Sequence, residues 1–249
     1  MRIRCSAQSD VGRGRSQNED SFAVDGKRGV FVVADGMGGH GNGEVASRIV
    51  ANVVRRRLTP GGGRFGGDGG QGLRDALEEA NLRIREAALG DEALSGMGAT
   101  AVVATLRRGD SYLANVGDSR AYLLRGGGFS QLTNDHTWVS EQVSAGLLSE
   151  TQAMRHPFRS VVTRALGGEE EVVVDVTPLD PRLGDVYLLC SDGLTAVLGD
   201  EEIRSHLEQR RPLPDVCRRL IDAANERGGP DNVTVVVIAV EAPDQTGRL

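Results

Sequence analysis

Short runs of β-branched and aliphatic residues recur along the chain, at Val30–Ala34 (VFVVA), Ala99–Leu106 (ATAVVATL), Ser111–Val116, Arg120–Leu124, Val172–Val176, Asp185–Cys190 and Val233–Val240 (VTVVVIAV). Such runs, bounded by turn formers, predict β-strands. Asp110 in RRGDS, and Gly117 with Asp118 in NVGDSR, fall between neighbouring runs. Turn residues so placed predict hairpins, and therefore antiparallel pairing rather than repeated βαβ units. A different period governs other stretches. Ala46, Ile49, Val50, Val53 and Val54 share one helical face, as do Leu73, Leu77, Ala80, Ile84 and Ala87. A second helix pair is predicted around Glu201–Gln209 and Leu213–Asn225, the latter with Val216, Leu220 and Ala223 on one side. Grouped strands with helices in pairs predict an α+β fold in which helices layer outside a β-sandwich.

Two segments break this rhythm. TPGGGRFGGDGGQG, from Thr59 to Gly72, is too rich in glycine to order itself cheaply and predicts a flexible surface loop. Thr137–His156 has weaker helical periodicity between strand regions and predicts an inserted helical flap, spanning about residues 137–160 with its flanks. Residues 1–241 are expected to form one domain, with 242–249 as a frayed tail.

Composition narrows the function classes. Hydrophobic residues at 39% and charged residues at 26% are ordinary for a folded chain, which excludes global disorder. A net charge of −6 speaks against nucleic acid, whose binding needs a basic face to release counterions. Cys5, Cys190 and Cys217 are isolated and form no CxxC, so neither a zinc site nor a disulfide framework is indicated and a reducing compartment is expected. The basic N-terminus lacks an apolar core and no run approaches the length of a membrane span. A monomeric cytoplasmic protein with no membrane partner is the expectation.

Carboxylates recur where apolar strands end. Asp35 follows VFVVA, Asp118 follows LANVG, Asp192 follows VYLLCS, and Asp231 with Asn232 precedes VTVVVIAV. Taken singly, an aspartate beside a glycine is a turn former. Four at strand ends, together with Glu19 and Asp20 in SQNEDSF, can converge at one end of a sheet assembly. Hard oxygen ligands with no matching His or Cys set favour Mg²⁺, Mn²⁺ or Ca²⁺ over zinc. Two such ions about 3.5–4 Å apart activate a shared water and clamp a phosphoryl oxygen, so phosphate-ester hydrolysis is the natural chemistry. Arg15, just upstream of Glu19, is a candidate phosphate clamp because a guanidinium meets phosphate in a fork.

In order along the chain, RSQNEDSF, VVADGMGGHGNGEVAS, GMGATAVVA, ANVGDSRAYLL, LTNDHTWV, HPFRSVVTRALG, YLLCSDGL and GGPDNVTVVVI resemble the metal-dependent protein phosphatases of type 2C, specifically the compact bacterial kind, from about Asp10 to Glu241. Each piece is weak alone, and the ordered set is specific. The resemblance implies a four-layer α-β-β-α sandwich, two mainly antiparallel sheets flanked by helix pairs, with metals in the cleft between the sheets. It implies that Asp35 with the carbonyl of Gly36, Asp192 and Asp231 hold two Mg²⁺ or Mn²⁺ ions and are catalytic with Arg15, which binds phosphate. Glu19 would act through metal-bound water, Asp20 and Asn232 would support the ligands from behind, and Asp118 with Asp192 would hold a weaker third ion. The implied reaction is hydrolysis of phosphoserine and phosphothreonine in proteins by a hydroxide bridging two ions, opposing a Ser/Thr kinase. One position departs from the animal-type pattern, in which a histidine follows the DG: here it is Met37. His40 is a candidate proton donor, and a metal-bound water serves equally well.

Rival chemistries fail on spacing. Gly36, Gly38 and Gly41 satisfy GxGxxG, but Asp35 would set a carboxylate beside a pyrophosphate and no βαβ succession follows. No cysteine has an arginine six residues on, no GxxxxGK[ST] exists, and GDSRA lacks the second glycine of a nucleophile elbow. The alternative from another class is a non-catalytic member of the same fold that binds phosphoproteins. Loss of a metal aspartate would be its signature, and all are present.

Overall fold

The computed structural model describes residues 1–39, 42–58, 70–209 and 211–243. Its strands are β1 (Arg2–Asp10), β2 (Ser21–Asp25), β3 (Val30–Ala34), β4 (Gly36–Met37), β5 (Gly98–Ala99), β6 (Ala101–Thr105), β7 (Tyr112–Val116), β8 (Arg120–Arg125), β9 (Gly128–Gln131), β10 (Asp175–Pro178), β11 (Val186–Cys190) and β12 (Val233–Glu241). Its helices are α1 (Asn42–Arg57), α2 (Gln71–Gly90), α3 (Trp138–Ser144), α4 (Glu150–Met154), α5 (Asp192–Thr195), α6 (Asp200–Glu208) and α7 (Leu213–Glu226).

Among the described residues the strands form two five-stranded sheets, ordered β1-β12-β11-β8-β9 and β10-β7-β6-β3-β2, and a small β4-β5 ribbon. Every pairing is antiparallel. Successive side chains on a strand point to opposite faces, and β3 shows what that does here. Phe31 and Val33 face the other sheet, where they meet Tyr187, Leu189, Val236 and Ile238. Val30, Val32 and Ala34 face α1 and α2, meeting Val50, Val54 and Leu77. The second sheet repeats the division: Leu188, Val235 and Val237 pack outward against Ile203, Val216 and Leu220 of α6 and α7. Both faces of the inner strands are therefore buried, which is why they read as unbroken apolar runs. A fully buried side chain such as Phe31 contributes about 1.5–3 kcal/mol by transfer from water. The result is the expected four-layer α-β-β-α arrangement.

Several sequence expectations shift. Asp110 does turn between β6 and β7, which pair. Gly117 and Asp118 do not make a hairpin: β7 and β8 lie in different sheets, and the pair is a crossover between them. The Ala99–Leu106 run divides at Thr100, whose N–H donates to the Asp35 carbonyl and whose Oγ1 accepts from the Asp35 N–H. The Val172–Val176 run overlaps a strand that begins later, at Asp175, because Val172 and Val174 pack on the α1–α2 core. Of the glycine-rich segment, residues 59–69 lie outside the described residues, as do 244–249 of the tail; Gln71 and Gly72 belong to α2, not to a loop. The flap is helical as expected, with α3 capped by Thr137 and α4 by a Ser149–Gln152 capping box. Its ends are pinned by a Thr137–Val162 bridge and by Trp138 N–H donating to the Val161 carbonyl.

Candidate metal centre

Strand register alone brings the acidic residues to one end of the sandwich. Cys190 pairs with Val235 and with Arg120, Asp10 with Val233, Ser21 with Ala34, and Ala101 with Val116. The residues just beyond these pairs share that end: Asp35 after β3, Asp118 after β7, Asp192 after β11, Asp231 before β12, and Arg15, Glu19 and Asp20 between β1 and β2. Two glycines let the backbones close. A Cβ on Gly36 would stand 2.1 Å from the Gly43 carbonyl oxygen, and one on Gly193 would stand 2.0 Å from that of Asn232. Each DG thus carries its glycine because another chain segment lies against it.

Asn232, buried, knits the β1–β2 loop to β12. Its Oδ1 accepts from Glu19 N–H at 2.8 Å, and its Nδ2 donates to the carbonyls of Val11 and Gln17 at 2.9 Å. Glu19 in turn accepts from the Gly43 N–H, in the first turn of α1, at 3.2 Å, and its carbonyl accepts from Gly36 N–H. Asp20 is buried with Oδ2 held by the hydroxyls of Ser191 and Thr234, each at 2.7 Å. Its Oδ1 is buried without a hydrogen-bond partner. A carboxylate oxygen left so is costly unless a cation or proton meets it.

The electrostatics report mutual repulsion. Burial first, then Asp20, Asp192 and Asp118, hold the Asp35 carboxyl well above the usual range. Burial and Asp231 raise Asp192, although Asp35, which hydrogen-bonds to it, Arg15 and Arg120 draw it down. Burial pushes Asp20 up to about 7 against the pull of Thr234 and Ser191, and pushes Asp118 up to about 7 with help from Asp192 and Asp135. Arg15 sits at this end half-exposed, its Nη2 donating to Asp231 Oδ2 at 2.8 Å, with Glu19 and Asp35 also near enough to raise its pKa. Cys190, two residues before Asp192, is no nucleophile, since burial pushes its thiol up to about 12.

The residues fit divalent cations by chemistry. All donors are oxygens, the carboxylates are mutually destabilised, and one buried oxygen is orphaned. As the side chains stand, no group of three or more His, Cys, Asp or Glu among the described residues forms a ready cage. Asp35 and Asp192 are turned to each other through a hydrogen bond, and Asp231 is turned to Arg15. A cation has to replace those contacts.

The structure therefore brings together Arg15, Glu19, Asp20, Asp35, Gly36, Asp118, Asp192, Asp231 and Asn232, while His40 lies outside the described residues. The sequence expectations omit Ser191 and Thr234, which hold Asp20, and Thr100 and Ser119, whose buried hydroxyls meet at 2.7 Å between Asp35 and Asp118. Thr234 carries a legible signal, a hydroxyl inside VTVVVIAV, where every neighbour is apolar.

Acidic residues gathered with arginine at the end of an antiparallel sandwich clad in helices have the chemistry to hold divalent cations against a phosphoryl group. Residues 4–142 match the protein phosphatase 2C family model, and the chain belongs to the protein phosphatase 2C family. It is 37% identical to the serine/threonine phosphatase stp of Listeria welshimeri over 235 residues, 93% of each chain. The crystal structure of the Mycobacterium tuberculosis serine/threonine phosphatase PstP/Ppp superposes with a TM-score of 0.91 at 39% identity, covering 97% of this chain and 100% of that one. The catalytic domain of PstP in complex with two manganese ions superposes with a TM-score of 0.85 at 37% identity, covering 96% and 99%.

Proposed function

We propose that the chain hydrolyses phosphoserine and phosphothreonine esters in proteins, with a pair of Mg²⁺ or Mn²⁺ ions at Asp35, the Gly36 carbonyl, Asp192 and Asp231, and that it reverses the action of a Ser/Thr kinase in the cytoplasm. The observation that carries this reading is the convergence of Asp20, Asp35, Asp118, Asp192 and Asp231 with Arg15 at one end of the sandwich. The two-manganese complex of PstP supports the choice of ion class. Three free cysteines suit a reducing compartment, and among the described residues no helix is long and apolar enough to cross a membrane.

When bound, the ions supply an activated water and neutralise phosphoryl charge. The chain's own residues do the rest. Asp35, Asp192 and Asp231 hold the ions on short segments fixed by β3, β11 and β12, and Asp118 with Asp192 offers a weaker third place. Asp20, clamped by Ser191 and Thr234, sets the field behind them. Glu19, fixed at its own N–H by Asn232, orients solvent around the ions. Arg15 exchanges its Asp231 contact for a phosphoryl oxygen and stabilises the charge that develops there. The thiol of Cys190 takes no part.

The test is Mn²⁺-dependent release of phosphate from matched phosphothreonine, phosphoserine and phosphotyrosine peptides. Turnover of the first two, abolished by EDTA and reduced at least about 100-fold in Asp192→Asn, is expected. Mn²⁺ binding without turnover would overturn the reading in favour of a non-catalytic phosphoprotein-binding member.

A further inference from the structure

Asp118 stands on the crossover between the sheets, and a buried histidine holds that crossover from the side away from Asp35. On the near side Thr100 packs so closely on Gly117 that a Cβ there would lie 2.6 Å from its side chain, and Ser119 bonds Thr100. On the far side, His136 makes a two-way contact with Gly117. The His136 N–H donates to the Gly117 carbonyl, and the Gly117 N–H donates to His136 Nδ1, both at 3.0 Å. An N–H can only donate, so Nδ1 is the unprotonated nitrogen and the ring proton sits on Nε2. Nε2 lies 3.1 Å from Asp175 Oδ2, which accepts that proton's hydrogen bond, and Asp175 Oδ1 accepts from Arg164 Nη1 at 2.8 Å. Arg164 Nη1 also lies 3.0 Å from Nε2, two donors converging on one carboxylate. Burial keeps the ring below the ordinary histidine range even though Asp175 pulls upward, in keeping with a neutral ring.

The same residue borders the flap on both sides. His136 directly precedes Thr137, the cap of α3, and its carbonyl accepts from the N–H of Thr163 where the flap returns. Arg164 follows Thr163, and Asp175 opens β10. One imidazole therefore touches the segment that carries Asp118 with one nitrogen and the segment that anchors the flap's return with the other.

We propose that His136 is a positioning residue with two separable arms, Nδ1 fixing the Gly117–Asp118 crossover on which a third cation would sit and Nε2 fixing the flap's return. This rests on the metal-dependent phosphatase reading above. The two arms can be cut independently. In His136→Asn the amide oxygen falls where Nδ1 stands, keeping the acceptor for Gly117 and losing the reach to Asp175. In His136→Gln the amide nitrogen reaches toward Asp175, and the Gly117 N–H loses its acceptor.

The experiment uses the full chain with Mn²⁺ titration calorimetry and hydrogen exchange over residues 137–164. His136→Gln should weaken the low-affinity Mn²⁺ step roughly ten-fold, the cost of a buried donor left unpaired, with flap exchange near that of the unsubstituted chain. His136→Asn should leave the Mn²⁺ isotherm unchanged and speed exchange across the flap roughly ten-fold, and Asp175→Ala, which leaves the ring in place and removes its acceptor, should speed it in the same way. If the two histidine variants move both readouts together, or neither, the two-arm assignment is overturned. Should either fail to fold, Asp175→Ala decides the flap arm alone: accelerated exchange with an unaltered isotherm supports it, and unchanged exchange overturns it. Mn²⁺ binding without phosphopeptide turnover in the unsubstituted chain would sink the phosphatase reading, whereas turnover with no separation between the arms would sink only the His136 assignment.

Discussion

The single residue that organises the centre is not one of the aspartates but Asn232. Its side chain reaches Val11, Gln17 and Glu19, so one amide ties three points of the loop that carries Arg15, Glu19 and Asp20, beside the Gly229 carbonyl, which accepts from the N–H groups of Arg13 and Gly14. An aspartate in its place would keep the acceptor for Glu19 and lose both donors; an alanine would lose all three contacts. Asn232→Ala should therefore lower the unfolding free energy by about 2–3 kcal/mol, since buried partners are left unsatisfied. Urea denaturation checks this. Because Arg15 and Glu19 are released together, Mn²⁺-dependent turnover should fall by more than the stability loss explains, and unchanged turnover would show that the loop is held by something else. Asp20 illustrates a second point at this scale. Both of its hydroxyl donors come from the β11–β12 side, Ser191 just after β11 and Thr234 on β12, so the residue acidic in sequence is made a supporting group by its neighbours.

At the scale of elements, legibility follows position in the sheet. β3, β6, β7, β8, β11 and β12 are interior strands, packed on both faces, and each appears in the sequence as an apolar run. β1, β2, β9 and β10 are the edges. β1 reads RIRCSAQSD, with Ile3, Cys5 and Ala7 on the inter-sheet core alternating with Arg2, Arg4 and Ser6, a pattern too polar to announce a strand. β2 and β9 are equally half-polar, and β10 is legible only with its start displaced. The close contact of α5 with β12 supplies the prediction for this scale. Gly193→Ala sets a methyl 2.0 Å from the Asn232 carbonyl oxygen, a backbone atom that cannot swing aside. The variant should lose about 1–3 kcal/mol and, by displacing Asp192 from Asp231, should weaken the tighter Mn²⁺ step. Denaturation and calorimetry on the same sample check both parts. A stable variant with unweakened Mn²⁺ binding would mean that the two segments part without consequence.

For the whole molecule, the cluster makes protons and divalent cations competitors for the same oxygens. A carboxyl whose folded pKa is raised contributes stability that is complete below its unfolded value and is lost as pH rises through the folded one. For Asp118 that window runs from the ordinary 3.8 to about 7. In EDTA, Asp118→Asn should melt at nearly the same temperature as the unsubstituted chain at about pH 4 and progressively higher up to about pH 7, with the gap constant above. Saturating Mn²⁺ at pH 8 should shrink or reverse that gap, because only the aspartate gains from the ion. Thermal melts across pH with and without Mn²⁺ provide the check. A gap that widens on acidification would contradict the burial of Asp118.

By itself the sequence determined the interior strands, the two helix pairs, the acidic residues at strand ends and the order of motifs, since all of these are local: period, turn chemistry and adjacency along the chain. It also carried the glycines of both DG pairs, though not their reason. Only the tertiary structure decided that Gly117 and Asp118 cross between sheets instead of closing a hairpin, because a turn looks alike in sequence whether the next strand pairs with its predecessor or leaves for another sheet. It likewise decided that Asp20 is held by Ser191 and Thr234, that Asn232 binds the Arg15 loop, and that His136 faces Gly117 and Asp175 at once. Those contacts join residues far apart in the chain, and no local period records them.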